Sequence, residues 1–388
     1  MKSGFLPGNQ VTLLESGSEY FPALLAAIDG AVVEIHLETY IFADDATGRR
    51  VAAALAAAAL RGVVVHVLVD GFGARGFVDG LGRGLREAGA HVLVYRPEVA
   101  ALRLRRHRLR RLHRKLAVVD GRIAFVGGIN IIDDQDAPGA EPRFDYAVRI
   151  EGPLLAPIHA GVHHLWQLVR WAALQRRQFE PACVVPDLAP RGPVGAAFVI
   201  RDNLRHRRDI EDVYLEAIAT AREEIVIASA YFLPGRRFRH ALAEAAGRGV
   251  RVVVLLQGRV EYVLLHYATQ ALYGALIGAG VRIFEYRRGF LHAKVAVVDC
   301  CWATVGSSNI DPFSLLLARE ANVVMRSGEF AGRLRDSLQR AMDADAAEVR
   351  AEDMRRRPLL ARAVSWLAYA AVRAMIGFTR YGGRDYRE

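Results

Sequence analysis

Apolar runs of five to seven residues, rich in Val and Ile, alternate with helix-like text along this chain. Runs that short suit strands buried on both faces, and the 3.6-residue periodicity between them suits the helices that cover the sheet. The first half reads as a helix over Tyr20 to Asp29, a strand over Val32 to Ile41, an Ala-rich helix ending at Arg61-Gly62 and a strand over Val63 to Val69. A further helix, a short strand and a hairpin complete it. The second half repeats that order, with a helix over Asp209 to Arg222 and strands over Glu224 to Phe232 and Val250 to Leu256. Ala27-Ile28 matches Ala217-Ile218, Tyr40 matches Tyr231, and Arg61-Gly62-Val63 matches Arg248-Gly249-Val250. The expected fold class is therefore α/β: two sandwich repeats, each a mixed sheet flanked by helices, meeting at a pseudo-two-fold interface that holds one shared site.

The segment around Pro181, Pro186, Pro190 and Pro193 breaks any regular pattern and reads as a linker. The expected division is a first repeat over 1–180, a linker over 181–194, a second repeat over 195–350 and a tail over 351–388. In the tail, Arg355-Arg356-Arg357-Pro358 precedes an apolar helix from Leu359 to about Phe378. At 100° per residue Arg362, Tyr369 and Arg373 fall on one side, with Leu360, Val364, Leu367, Ala371 and Met375 opposite. Such a helix suits the surface of an anionic bilayer, or else packing on its own core or on a second subunit. Ile158 to Gln175 is also helical. His159 and His163 there have metal-like i,i+4 spacing, but no Glu or Asp completes a ligand set, so they read as surface-helix residues.

Charge narrows the partners. A net charge of +10 and a pI near 9.8 call for an anionic one, nucleic acid or acidic lipid. Arg103, Arg105, Arg106, Arg108, Arg110, Arg111 and Arg114 crowd the approach to His113. No aromatics interleave that run for base stacking, which disfavours nucleic acid and leaves phosphate headgroups. Three cysteines at poor spacing offer no disulfide framework and fit a reducing compartment. No apolar stretch resembles a signal peptide, and no run is expected to reach the ~18–20 residues of a membrane span.

The chemistry is carried by a pattern that occurs twice. His113, Lys115, Asp120, Gly127, Gly128 and Asn130 recur as His292, Lys294, Asp299, Gly306, Ser307 and Asn309 with identical spacing. Strand side chains alternate, so the His and Lys of each copy share a face while the Asp faces away. Asn130, Asn309, Ser307 and the Gly128 backbone are candidates to hold phosphoryl oxygens. Two lysines and two asparagines can neutralise the charge on those oxygens. One neutral imidazole can then attack phosphorus while the other, protonated, supplies a proton to the leaving oxygen; for the second displacement the roles reverse. No metal and no cofactor are needed.

A duplicated H-x-K-x4-D-x6-G-S-x-N motif resembles the phospholipase D superfamily, and the text around it, including Gly306-Ser307-Ser308-Asn309-Ile310-Asp311-Pro312 and Arg319-Glu320-Ala321-Asn322, is similar to the short, anchor-less bacterial cardiolipin synthases. The resemblance implies that the histidines serve as nucleophile and acid, with His113 the attacking one, that the motif aspartates are largely structural, and that an acidic residue downstream of each motif orients a histidine. Glu320 fits that last position well and Asp145 less securely. Gly128 departs from the pattern, standing where the family has Ser. The implied activity is phosphatidyl transfer between glycerophospholipids, with phosphatidylglycerol as acceptor, in a peripheral protein on the cytoplasmic face of the bacterial membrane. A metal-independent phospholipase D or nuclease of the same superfamily is the nearest alternative, and a non-catalytic anion-binding membrane scaffold the most distant one.

Overall fold

The computed structural model describes residues 4–97, 110–135, 141–173, 184–202 and 205–379. Arg103, Arg105, Arg106, Arg108, Pro181 and Cys183 lie outside them. Among the described residues, seven strands belong to the first half: β1 (Leu6–Glu15), β2 (Glu34–Thr39), β3 (Val64–Asp70), β4 (His91–Tyr95), β5 (Lys115–Val119), β6 (Ile123–Gly127) and β7 (Tyr146–Glu151). The second half contributes β8 (Val194–Arg201), β9 (Glu224–Ser229), β10 (Arg251–Gln257), β11 (Arg282–Tyr286), β12 (Lys294–Val298), β13 (Trp302–Gly306), β14 (Glu320–Arg326) and the short edge strand β15 (Ala346–Glu348). All are joined in the order β15-β11-β10-β9-β12-β13-β14-β8-β1-β7-β6-β5-β2-β3-β4. Read outward from the β1/β8 pair in either direction, the two halves use their strands in the same sequence.

That central pair is a structural finding that the periodicity hid. Each half was expected to open on a helix, yet each opens on a strand, and these two strands pair antiparallel, with Leu6 opposite Ala196 and Asn9 opposite Val194. Pro7 and Gly8 in β1 and the Gly-Ala-Ala start of β8 weaken the apolar alternation by which a strand is recognised. Asn9 compensates where the register shifts, its side-chain amide donating to Leu6 and Val194 carbonyls and accepting from Leu154 N at 2.7 Å.

Helices α1 (Ser16–Asp29), α2 (Ala46–Leu60) and α3 (Leu81–Glu87) cover the outer face of the first half, where Leu24, Ile28, Val51 and Leu55 meet Val65 and Val67. Their counterparts α5 (Asp209–Thr220), α6 (Arg236–Gly247) and α7 (Val263–Gly278) cover the second. On the inner faces, α4 (Leu155–Ala172) and α9 (Gly328–Asp345) close over a core shared by both halves, from Val118 and Val148 across to Val295 and Val323. Between β14 and the hairpin before it lies the short α8 (Pro312–Leu316), and α10 (Ala351–Arg356) leads into the tail. Residues 184–193 have no regular structure and are tied to the sheet by Asp187 N donating to Gly121 O and Arg191 N to Gly8 O.

The tail helix α11 (Leu359–Thr379) lies on α7. Ser365, Ala368, Val372 and Ile376 are its buried face, whereas Leu360, Val364, Leu367 and Met375 remain exposed together with Trp366. Among the described residues it is the one helix long and apolar enough to cross a membrane by length and composition, which corrects the expectation that no stretch reaches that size.

Candidate active site

Parity places His113 and Lys115, and likewise His292 and Lys294, at the mouths of β5 and β12. Lys115 Nζ donates to the His113 carbonyl at 2.6 Å, and Lys294 Nζ donates to the His292 carbonyl. Lys294 Nζ also lies 2.8 Å from His292 Nδ1, and the acids that orient the rings come from the opposite half. His113 Nδ1 lies 3.0 and 3.1 Å from the two carboxylate oxygens of Glu320, and His292 Nδ1 lies 2.6 Å from Asp145 Oδ2. The backbone makes the same crossing: Leu112 bridges Arg319 and Phe144 bridges Leu291, with His113 N donating to Arg319 O and His292 N to Phe144 O. Each motif histidine is thus hydrogen-bonded to the residue just before the other half's acid. A carboxylate on Nδ1 fixes the proton there and leaves Nε2 to face the cavity.

The motif aspartates are elsewhere. Asp120 accepts from Val32, Val33 and Glu34 N at 2.8–2.9 Å, and Asp299 accepts from Arg222, Glu223 and Glu224 N, each at 2.9 Å. Both sit at positive φ, near 50°, at the turn ending the motif strand. They fasten that strand to the start of β2 and of β9, and the bond from Glu34 N to Asp120 is buried. Neither reaches the cavity, so their place is structural.

Among the proposed phosphate-binding residues, Asn130 and Asn309 line the cavity. Asn130 Oδ1 accepts from Ile41 N at 3.1 Å, which turns its NH2 the other way. Ser307 and Gly128 do not line the cavity. Ser307 is fully buried; its hydroxyl donates to Glu320 Oε2 at 2.5 Å and accepts from Ala321 N, and its own N–H goes to Ala321 O. Gly128 N is likewise committed, to Tyr146 O, and a Cβ at 128 would strike the Asp145 carboxylate. The departure from the motif therefore has a steric cause: the space that a serine takes beside Glu320 is filled beside Gly128 by Asp145 itself.

His113, His292, Asn130, Asn309 and Asp145 open on one cavity of about 380 Å³. Tyr40 and Tyr231, which match in the two halves, stand in its wall; the Tyr40 ring is 5.1 Å from that of His113 and 5.5 Å from Lys115 Nζ. Arg111 and Arg143 add positive charge, Ile41, Phe72, Leu265, Phe313 and Leu317 contribute apolar wall, and Asp134, Glu261, Asp311 and Ser314 contribute polar wall. The matched tyrosines were visible in the sequence alignment of the halves; the apolar lining was not, because it is gathered from segments far apart in the chain, from Ile41 to Leu317. Arg114, expected in the basic approach, is instead buried and paired with Glu38.

Burial lowers the pKa of both motif lysines. Lys115 is pulled down to about 7 by desolvation and by Lys294, against Glu320 and Asp145, and Lys294 is lowered for the same first reason. Both imidazoles are lowered too, His113 by burial and then by Lys115 and Lys294, His292 by burial and by Lys294 and Lys115, each against its carboxylate. Charges from both halves thus act on each ring, as a shared site requires. A bound phosphodiester anion reverses the sign by stabilising every cation around it. In the empty enzyme, Lys115 loses charge as pH rises through about 7, and the protonated imidazole is lost earlier still. The alkaline limb of the kcat/KM profile should therefore lie at lower pH than the alkaline limb of kcat, and parallel limbs in the two profiles would contradict this.

The family described as "Cardiolipin synthase, PLD-like domain" matches residues 24–161 and 214–342, one stretch in each half. Cardiolipin synthase B of Escherichia coli (strain K12) is 41% identical over 350 residues, covering 90% of this chain and 84% of that protein. Major cardiolipin synthase ClsA of Bacillus subtilis (strain 168) is 32% identical over 341 residues, covering 85% of this chain and 68% of that one. The fold is similar to that of phosphatidylserine synthase from Haemophilus influenzae Rd KW20, with TM-score 0.71, 13% identity and 98% of both chains covered. Polyphosphate kinase from Porphyromonas gingivalis is similar at TM-score 0.57 and 16% identity, over 96% of this chain and 54% of that one. A family pattern spanning both halves and a relative that shares two residues in five over nine-tenths of the length carry the conclusion: the chain belongs to the cardiolipin synthase family of phospholipase D-like proteins.

Proposed function

We propose that the protein is a cardiolipin synthase that moves a phosphatidyl group from a glycerophospholipid to the primary hydroxyl of phosphatidylglycerol through a phosphohistidine. In this reading His113 Nε2 attacks phosphorus, the bond to the leaving alkoxide breaks, and that oxygen takes the proton of the His292 imidazolium. His292, now neutral, accepts the proton of the incoming hydroxyl, whose oxygen displaces His113 from phosphorus. Lys115, Lys294, Asn130 and Asn309 neutralise the phosphoryl oxygens in both steps. The single observation that carries the reading is the pair of imidazoles, each tied through Nδ1 to a carboxylate of the opposite half and both lining one cavity. The apolar lining supports a lipid alcohol as acceptor, with water as its competitor and some hydrolysis as the consequence.

Incubation of purified protein with labelled phosphatidylglycerol, with and without phosphatidylethanolamine or short oligonucleotides, tests it. Labelled cardiolipin is the expected product; cleavage of the oligonucleotide without lipid transfer would make the protein a nuclease.

The reading extends to a peripheral place on the cytoplasmic face of the membrane, with anionic phospholipid as partner. The exposed stripe Leu360, Val364, Leu367 and Met375, beside Trp366 and the basic Arg355-Arg356-Arg357, supports it. Deleting residues 358–388 should weaken binding to phosphatidylglycerol vesicles, measured by co-sedimentation, more than it slows turnover of detergent-dispersed lipid. Equal losses would make α11 a structural cover for α7.

A further inference from the structure

Strand β2 has an unusual composition for a buried position. Glu34, His36 and Glu38 alternate with Ile35, Leu37 and Thr39, and all six are buried, so the polar side of the strand faces inward under α4. Glu38 is matched by Arg114, which also donates to Gly161 O on α4. Glu34 and His36 meet His159 and His163 instead. His159 Nε2 is 2.6 Å from Glu34 Oε1, His163 Nε2 is 3.5 Å from the same oxygen and 3.1 Å from His159 Nε2, and His36 Nε2 is 3.6 Å from Glu34 Oε2. The i,i+4 histidines of α4, which lacked an acid in their own stretch, find one across the core.

Hydrogen bonding does not satisfy this cluster. Two imidazole nitrogens face each other at 3.1 Å, and both face one carboxylate oxygen, so a single proton between them serves only one contact at a time. Glu34 Oε2 and His36 Nε2, on residues with 0% and 2% exposure, have no hydrogen-bond partner. One ligand atom each from Glu34, His36 and His163 lie within 4.8 Å of one another. Four ligands around zinc at ~2.0–2.1 Å in a tetrahedron stand ~3.3 Å apart along each edge, the scale of the separations here. We propose that Glu34, His36 and His163, with His159 hydrogen-bonded to Glu34 beside them, form a structural site for a divalent transition metal of the zinc class.

Imidazole and carboxylate donors suit zinc, and Glu34 supplies the anionic ligand. The stacked rings of His36 and His66, 4.4 Å apart, and Trp166 at 4.5 Å from His66 close the inner side. Access is from α4, where the side chains of His159 and His163 are 10% and 17% exposed. The ion would clamp α4 to β2, whose Glu38 pairs with Leu116 next to Lys115 in the sheet. This site is separate from the cavity of the proposed transfer reaction and does not depend on it.

Metal analysis of the purified full-length protein after zinc loading and gel filtration tests the assignment. One equivalent of zinc is expected, with cobalt(II) replacing it to give the visible d–d absorption of a four-coordinate site. His163→Gln and His36→Gln should each weaken zinc binding at least ~10-fold and remove the cobalt spectrum, whereas exposed His164→Gln keeps both. Because His36 is buried and its replacement risks misfolding, His163→Gln and the wild-type cobalt spectrum are the deciding readouts. Absence of stoichiometric zinc in the wild type, or full retention in His163→Gln, would overturn the proposal. Chelation should lower the thermal midpoint while phosphohistidine formation persists in folded protein; lost chemistry at an unchanged midpoint would put the ion in the reaction cavity and equally overturn it.

Discussion

Alanine at either His113 or His292 should reduce phosphatidyl transfer to background, a loss of at least ~10⁴-fold in kcat, since removing one member of a concerted catalytic set costs about as much as removing all. The two variants should nonetheless differ. With a phosphodiester whose leaving group is an activated phenol, departure needs no proton, so His292→Ala should still release one equivalent of phenol in a burst and retain the label on His113. His113→Ala should give neither. An acid-labile, base-stable label found on His292 in the His113→Ala protein would exchange the roles of the two rings, and no label in any variant would remove the covalent intermediate altogether. Lys115 and Lys294, each donating to the carbonyl of its own motif histidine, should serve the first displacement in either case.

What could be read from the sequence followed the range of the forces involved. The period-two alternation around His113 and Lys115 and the repeat of the whole motif are local, and from them came the strands, the inward-facing cations and the outward turn of Asp120 and Asp299. Glu320 and Asp145 were legible as acids that orient a histidine, but which histidine each serves was not, because the pairing is made by backbone bridges spanning about half the chain, Leu112 to Arg319 and Phe144 to Leu291. Ser307 illustrates a similar gap. Spacing suggested a hydroxyl for phosphate, yet that hydroxyl donates its hydrogen bond to the carboxylate of Glu320. The β1/β8 seam was missed because a Pro-Gly and an Ala pair blur the alternation there, and the Glu34 and His36 contacts with α4 because a polar strand face is read as a solvated one until the helix that covers it is known. For Glu34 the available signal was the alternation Glu-Ile-His-Leu-Glu itself, sitting between apolar strands on both sides.

Exchanging the orienting carboxylates for amides should sort the chemistry across the halves and not within them. Glu320→Gln leaves the shape of the pocket intact but offers His113 Nδ1 a neutral partner, so the ring loses both its preferred tautomer and the charge that stabilises it when it becomes cationic on bonding to phosphorus. By the behaviour of an amide behind a catalytic imidazole, kcat should fall by up to ~10⁴-fold with little change in KM. The burst with the activated phenol should slow in parallel, because formation of the phosphohistidine is the step affected. Asp145→Asn weakens the support of His292, the proposed proton donor, so it should slow turnover of natural lipids while sparing that burst. Ser307→Ala removes only the hydroxyl that braces Glu320 at 2.5 Å, and should reproduce the Glu320→Gln pattern at a smaller amplitude. If Glu320→Gln spared the burst and Asp145→Asn abolished it with His113 still the labelled residue, each acid would be acting on the histidine of its own half. The crossed contacts at 3.0 and 2.6 Å would then have no catalytic meaning.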